Sequence, residues 1–231
     1  MAGSLGYAFW LLETLLEVAV LVCALNRRSF GRYLCLNLYM LLSLLAGVAR
    51  YATLAHFGLR SSEYRYCYYY SDAVLTIFLY LALITLYLQV FDEMKVEKYL
   101  RLAAMLLLAG TALFSYAVVQ QSSSRILTGF VFELSQNLYF VGLVLTYVLW
   151  GAILKLRETR AQLIQLVLSL GVYFSAFAAA FALKNMFPDL QSVNYIAPLF
   201  GCLLPLAWAY AFWRLSPDAR MVPARLAVVP R

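Results

Sequence analysis

The chain has a single histidine, His56, among its 231 residues, and this scarcity excludes several kinds of reaction centre. Bis-histidine haem ligation and zinc sites built on several histidines each need more than one imidazole. The sequence also lacks the HExxH motif, a serine–histidine arrangement and a glycine-rich phosphate loop. We therefore expect a protein that is not an enzyme and that holds no metal and no cofactor.

Charged residues are also few, at 13% of the chain, whereas soluble domains carry about 25%. Hydrophobic residues make up 65% of the chain, and the mean hydropathy is +0.80. Apolar runs of more than about 18 residues recur at near-regular spacing, which is typical of membrane-spanning helices. The composition predicts an all-α integral membrane protein, with the lipid bilayer as its surroundings.

Seven apolar segments are each close to the length of about 20 residues that crosses a bilayer. The first lacks the basic region and cleavage site of a signal peptide, so we interpret it as a membrane helix. The third begins at Tyr68, which places Cys67 in a loop. We predict a seven-helix transmembrane domain over residues 1–215 and a short cytoplasmic tail over 216–231. The predicted spans are Leu5–Leu25, Tyr33–Phe57, Tyr68–Phe91, Leu100–Val119, Phe130–Leu154, Leu163–Phe187 and Tyr195–Leu215.

The basic residues predict the orientation of these spans. Arg60, Arg65, Arg125 and Lys184 fall on one side, and the other side holds thirteen of the 18 lysines and arginines. Because cytoplasmic loops accumulate basic residues, the N-terminus is predicted outside and the C-terminus in the cytoplasm. The same accumulation explains the net charge of +7, so we expect no nucleic-acid partner. The thirteen are Arg27, Arg28, Arg32, Lys95, Lys98, Arg101, Lys155, Arg157, Arg160, Arg214, Arg220, Arg225 and Arg231.

Several polar residues lie inside the predicted spans, where exposure to lipid is costly. At about 1.5 Å per residue, Glu13 lies about 12 Å and Glu17 about 18 Å below the outer end of the first span. Their spacing of four residues places both on one helix face. We expect these polar side chains to face the bundle interior in its outer half, where water enters from outside. The candidate ligand- or ion-binding residues are Glu13, Glu17, Arg50, Asp72, Glu133 and Asn137.

Three interpretations of this cluster remain open. A buried arginine–glutamate network can fix the helix register without binding a ligand. In that case Asp72 and Glu133, each about one turn inside a predicted span, are helix caps or first-turn residues. Alternatively, the cluster binds a solute, an ion or a proton, or it contacts another membrane subunit. Glu17 lies near the membrane midplane, where we expect the neutral carboxyl form.

Three stretches of the chain stand out, namely "WLLETLLEVAVLV", "YYYSDAVLTIFLYLALITLYLQVF" and "WAYAFWRLSPD". They resemble an uncharacterised seven-span family of acidobacterial inner-membrane proteins, and the similarity extends over most of the chain. The resemblance implies a seven-helix, multi-pass protein of the bacterial inner membrane. It implies no activity, because none is assigned to the family.

These observations predict a sensor or accessory protein of the inner membrane. A small solute or ion enters the outer half, or a larger membrane complex docks laterally. The expected partners are other membrane subunits or a separate cytoplasmic signalling protein, to which any signal must pass. A small proton- or ion-coupled transporter is the alternative, although seven spans do not divide into two equal inverted repeats. A structural subunit of a larger membrane complex is the third interpretation.

Overall fold

The computed structural model describes residues 4–27, 30–58, 61–92, 97–120, 126–156, 159–187 and 196–215. Within these ranges the chain forms seven α-helices and no β-strand. The predicted tail, residues 216–231, lies outside the described residues. The helices are α1 Ser4–Asn26, α2 Leu34–Phe57, α3 Ser62–Val90, α4 Glu97–Gln120, α5 Ile126–Leu156, α6 Ala161–Met186 and α7 Ile196–Arg214.

Six of the described helices, α1 to α6, are long and apolar enough to cross a membrane. The last helix, α7, has 19 residues and contains Pro205 in its interior. Large apolar side chains cover the outside of the bundle, as expected for a surface in contact with lipid. The protein is therefore an all-helical, multi-pass membrane protein.

Helix α3 begins six residues earlier than the predicted span, and the reason is an N-terminal cap. The Ser61 hydroxyl accepts a hydrogen bond from the backbone N–H of Tyr64 at 3.1 Å. Glu63 lies in the first turn, where a negative charge is favoured by the helix dipole. The tyrosine-rich stretch is thus helical, and Cys67 lies in α3 and not in a loop as predicted.

The helices pack as a ring of six, with α4 outside it. Going round the ring, α1 packs on α2, α2 on α3, α3 on α5, α5 on α6, α6 on α7 and α7 on α1, while α3 and α6 also touch across the middle. Helix α4 packs mainly on α5. Its outer face is open, with Leu106 65% and Leu113 70% exposed. The enclosed interior of the bundle therefore lies inside the six-helix ring.

The two halves of this ring differ in composition. In the half that contains the C-terminal ends of α3 and α5, the interior is packed mainly with apolar side chains, although Asn37 and Gln162 are also buried there. This half is called the apolar half, and its buried residues include Leu36, Met40, Leu79, Leu83, Leu86, Leu149, Leu166 and Leu170. The half that contains the N-terminal ends of α1, α3 and α5 is called the polar half, and it corresponds to the predicted outer half.

Candidate functional site: a buried polar cluster

The two glutamates of α1 face the inside of the bundle. Glu17 is 5% exposed, and its carboxyl lies beside the hydroxyl of Ser43 on α2. Glu13 is half-buried and packs on α7 at Gly201, where an added Cβ atom would lie 2.8 Å from its Oε1. The lack of a side chain at Gly201 is therefore what allows the Glu13 carboxyl to lie against α7.

Helix α7 has an incomplete hydrogen-bond ladder at the same place. In a regular α-helix the Gly201 carbonyl oxygen accepts from the N–H of the residue four positions later. That residue is Pro205, which has no N–H. The Glu13 carboxyl on α1 therefore lies next to Gly201 on α7, whose carbonyl oxygen lacks its usual hydrogen bond within the helix.

Arg50 on α2 is held by α3. Its Nε donates to the Ser71 hydroxyl at 2.7 Å, its Nη2 donates to the Tyr68 carbonyl oxygen at 3.3 Å, and its guanidinium lies 4.5 Å from the centre of the Tyr68 ring. Arg50 is close enough to Glu13, Glu17 and Asp72 to interact with them electrostatically. Yet no salt bridge joins Arg50 to a carboxylate within the described ranges.

Asp72 lies across the interior from α1, between α3 and α5. Its carboxyl is beside the hydroxyl of Ser135 on α5. Ser135 is only 2% exposed, and its hydroxyl oxygen has no other hydrogen-bond partner. One turn further along α3, Thr76 is buried and donates to the Asp72 carbonyl oxygen at 2.8 Å. These residues form a cluster of oxygen atoms in which the Ser135 hydroxyl lies next to an Asp72 carboxyl that has no ion pair among the described residues.

Three tyrosines bring their hydroxyl groups together near the middle of the bundle. Tyr173 on α6 lies beside the hydroxyls of Tyr39 on α2 and Tyr139 on α5, and Tyr139 also lies beside Thr76. The Tyr139 ring stacks on Phe177, with ring centres 4.9 Å apart. All three tyrosines are buried. They form the boundary between the charged groups and the apolar half.

Two of the six predicted residues lie elsewhere. Asn137 donates to the hydroxyl of Ser115 on α4 at 2.9 Å, so it faces outward from the ring. Glu133 precedes Asn137 by four residues on the same helix and therefore shares this α4-facing side. The structure thus groups Glu13, Glu17, Arg50 and Asp72 in the ring interior and separates them from Glu133 and Asn137.

The helix boundaries also correct one of the structural interpretations. Because α3 begins at Ser62 and α5 at Ile126, Asp72 lies ten residues and Glu133 seven residues past the helix start. Neither is a cap or a first-turn residue, so the helix dipole does not account for their presence. The interpretation as caps or first-turn residues was wrong, because both helices begin before the predicted spans.

The sequence interpretation missed several residues that complete the cluster. Some were identifiable, since Ser71 is adjacent to Asp72, and Ser135 lies four residues before Tyr139 on one face of α5. The position of Gly201 opposite Glu13 depends on which helices are neighbours, which the local pattern does not contain. The missed residues are Ser43, Ser71, Thr76, Ser135, Tyr39, Tyr139, Tyr173 and Gly201.

A cavity of about 410 Å³ lies on the outside of the ring. It is an open groove over α6 that Trp150, Val172 and Phe200 help to line. The hydroxyls of Thr146 and Ser175 in its wall donate to carbonyl oxygens of their own helices. The groove therefore offers an apolar surface that suits hydrocarbon, and it is separate from the polar cluster.

The chain matches no known family model, and no curated protein or solved structure is significantly similar to it. The resemblance to the acidobacterial seven-span family therefore stays a prediction.

Proposed function

We propose that this protein is a seven-helix sensor or accessory protein of the bacterial inner membrane, without enzymatic activity of its own. A small solute or ion enters the polar half from the outer side, and the helices transmit its presence to a cytoplasmic partner. One observation carries this proposal: carboxylates and hydroxyls collect in the polar half without direct ion pairs, and the apolar half is densely packed.

The cost of burying polar groups supports ligand binding. A purely structural network gains stability only if its charges are paired and its hydrogen bonds are made. Here Arg50 is held by Ser71 and Tyr68, and Glu13, Glu17 and Asp72 have no salt bridge within the described residues. Water or a ligand in the polar half would satisfy these groups.

The packed apolar half favours a sensor over an open pathway. Beyond Thr76, the side chains of Leu79, Leu83 and Leu86 on α3 are each at most 1% exposed. A solute that reaches the tyrosines meets a closed interior, as expected for a site that binds and does not conduct.

Cysteine accessibility tests this proposal in native membranes. The background protein has Cys23, Cys35, Cys67 and Cys202 replaced, and single cysteines are introduced at Ser71 and Leu83. A small, membrane-impermeant thiol reagent added outside should label Ser71→Cys and leave Leu83→Cys unlabelled from both sides. An unreactive Ser71→Cys would contradict an outer entrance to the polar half.

A small proton- or ion-coupled transporter is the second candidate, favoured by the buried Glu17 beside Ser43. A transporter must expose its interior alternately to both sides of the membrane. Labelling of Leu83→Cys from the cytoplasmic side would therefore support the transporter and exclude the closed sensor.

A further inference from the structure

The site between α3 and α5 combines a carboxyl that has no ion pair with a buried hydroxyl beside it. The carboxyl of Asp72 has no salt bridge within the described ranges, and the hydroxyl of Ser135 lies next to it and has no other hydrogen-bond partner. A buried polar group left unsatisfied costs about 1–3 kcal/mol, and a charged one costs more. A hydroxyl that donates to the carboxyl keeps its own oxygen lone pairs free, so the two groups together present oxygen atoms to a ligand.

The charge balance of the ring interior defines the sign of that ligand. Among the described residues, the interior cluster contains three carboxyl groups, of Glu13, Glu17 and Asp72, and one guanidinium, of Arg50. The guanidinium is fixed by the Ser71 hydroxyl and by the carbonyl oxygen and ring of Tyr68, so it does not contact Asp72. The interior thus holds more acidic groups than basic ones, which favours a cation over an anion as the ligand.

The chemistry of the surrounding atoms identifies the kind of cation. Thr76 gives its hydroxyl proton to the Asp72 carbonyl oxygen, so its oxygen lone pairs are left for a ligand. The Tyr139 hydroxyl lies beside Thr76, and Asp72 is close enough to it to interact electrostatically. Together with Ser135, these groups supply only oxygen atoms, which are the ligands that hard cations prefer.

The number of acidic groups favours a monovalent ion over a divalent one. No group of three or more histidine, cysteine, aspartate or glutamate side chains in the described part of the chain is close enough to hold a metal ion. Calcium takes six to eight oxygen ligands, commonly including several carboxylates. A single aspartate with three hydroxyls instead balances one positive charge.

We infer that Asp72, Ser135, Thr76 and Tyr139 bind a monovalent alkali cation between α3 and α5. This inference rests on the proposed function, because the ion must enter through the polar half. The bound ion ties α3 to α5, the helix that also packs on α4 and α6. Binding of the ion would thus affect the packing of α5 on its three neighbours, α3, α4 and α6.

Thermal unfolding of the purified full-length protein in detergent tests the inference. NaCl or KCl replaces N-methylglucamine chloride at constant ionic strength, so that only the small cation changes. A hundredfold rise above the half-saturating concentration should raise the unfolding temperature by about 5–10 °C. Glu133→Gln is the matched control, since Glu133 is a carboxylate at a comparable position that faces α4.

The variants distinguish a site from a general salt effect. Glu133→Gln should keep the cation response, and Asp72→Asn should lose it. Ser135→Ala removes only the hydroxyl beside Asp72, and it should raise the half-saturating concentration at least about tenfold. If Asp72→Asn does not fold, the cation response of Ser135→Ala alone tests the site. An unchanged response in either variant, or no specific response in the wild type, would overturn the inference.

The two proposals fail in different ways. If Na⁺ and K⁺ do not stabilise the wild-type protein but Ser71→Cys is labelled from outside, the cation site is refuted. The proposed function then stands with a different ligand. An interior that is closed at Ser71 refutes the proposed function itself.

Discussion

At the scale of single residues, the environment of Arg50 differs from a buried salt bridge. The guanidinium uses one N–H for a hydroxyl and another for a backbone carbonyl, and it also contacts an aromatic ring. Arg50 therefore joins α2 to α3 by hydrogen bonds, and its charge acts on the carboxylates from a distance.

Replacing Arg50 by leucine should lower the free energy of unfolding by about 3 kcal/mol, because it removes two charge-assisted hydrogen bonds. Denaturation in mixed detergent micelles measures the change. Arg65→Leu is the control, because Arg65 is exposed near the start of α3. Equal stability of the two variants would mean that the contacts of Arg50 with Ser71 and Tyr68 contribute nothing.

Glu17 allows a second test at this scale. Its carboxyl lies beside the Ser43 hydroxyl, and glutamine keeps a donor and an acceptor at that place. We expect Glu17→Gln to unfold close to the wild-type midpoint. Glu17→Leu should lose about 1–3 kcal/mol, because it leaves Ser43 without this partner. If Glu17→Leu is as stable as Glu17→Gln, the contact with Ser43 does not contribute to stability.

At the scale of helices, close approach at glycine determines how α5 and α6 pack. A Cβ atom at Gly142 would lie 2.3 Å from the ring of Phe174, which is fully buried. Small residues at such positions let membrane helices approach closely. The α5–α6 contact in turn positions Tyr139 and Tyr173, which belong to these two helices.

Gly142→Ala should therefore lower the free energy of unfolding by about 1–3 kcal/mol through overpacking. Gly151→Ala on the same helix is the control, because no other atom lies within 4 Å of its added Cβ. The control should be neutral or slightly stabilising, since alanine favours helix more than glycine does. A neutral Gly142→Ala would show that Phe174 moves aside without cost.

The positions of the helices could be predicted from the sequence, but which face of each helix points into the bundle could not. Hydropathy alone finds α1 to α6, because each contains a long apolar run. The direction in which Glu133 and Asn137 point depends on α4 lying outside the ring. In a membrane helix with polar residues on more than one face, such as α5, the pattern does not show which neighbour each face contacts.

At the scale of the whole molecule, the polar cluster is a product of helix arrangement. Glu13, Arg50 and Asp72 belong to three different helices, and only the closed ring places them around one interior. Helix rise predicts that charges at similar depth can meet, and four of the six candidates do lie in one cluster in the structure. The ring order and the outside position of α4 could not, because no local signal specifies long-range neighbours.

The orientation of the molecule in the membrane has its own test. Cysteines at Glu63 and Lys155, both exposed near helix ends, are introduced into the cysteine-free background. An impermeant reagent should label Glu63→Cys in intact cells and Lys155→Cys only after the membrane is opened. Labelling in the reverse order would contradict the orientation predicted from the basic residues.

The central claim is that the polar half contains water or a ligand among its charged and hydroxyl groups, while the apolar half excludes it. Hydroxyl-radical footprinting of the wild-type protein in membranes, read out by mass spectrometry, tests this claim without a substitution. Tyr80 and Tyr87 are internal controls, since their hydroxyls donate to backbone carbonyl oxygens of Ala104 and Leu145. The account predicts oxidation of Tyr139 and Tyr173 well above that of these two controls. Oxidation of Tyr139 and Tyr173 no greater than that of Tyr80 and Tyr87 would contradict it.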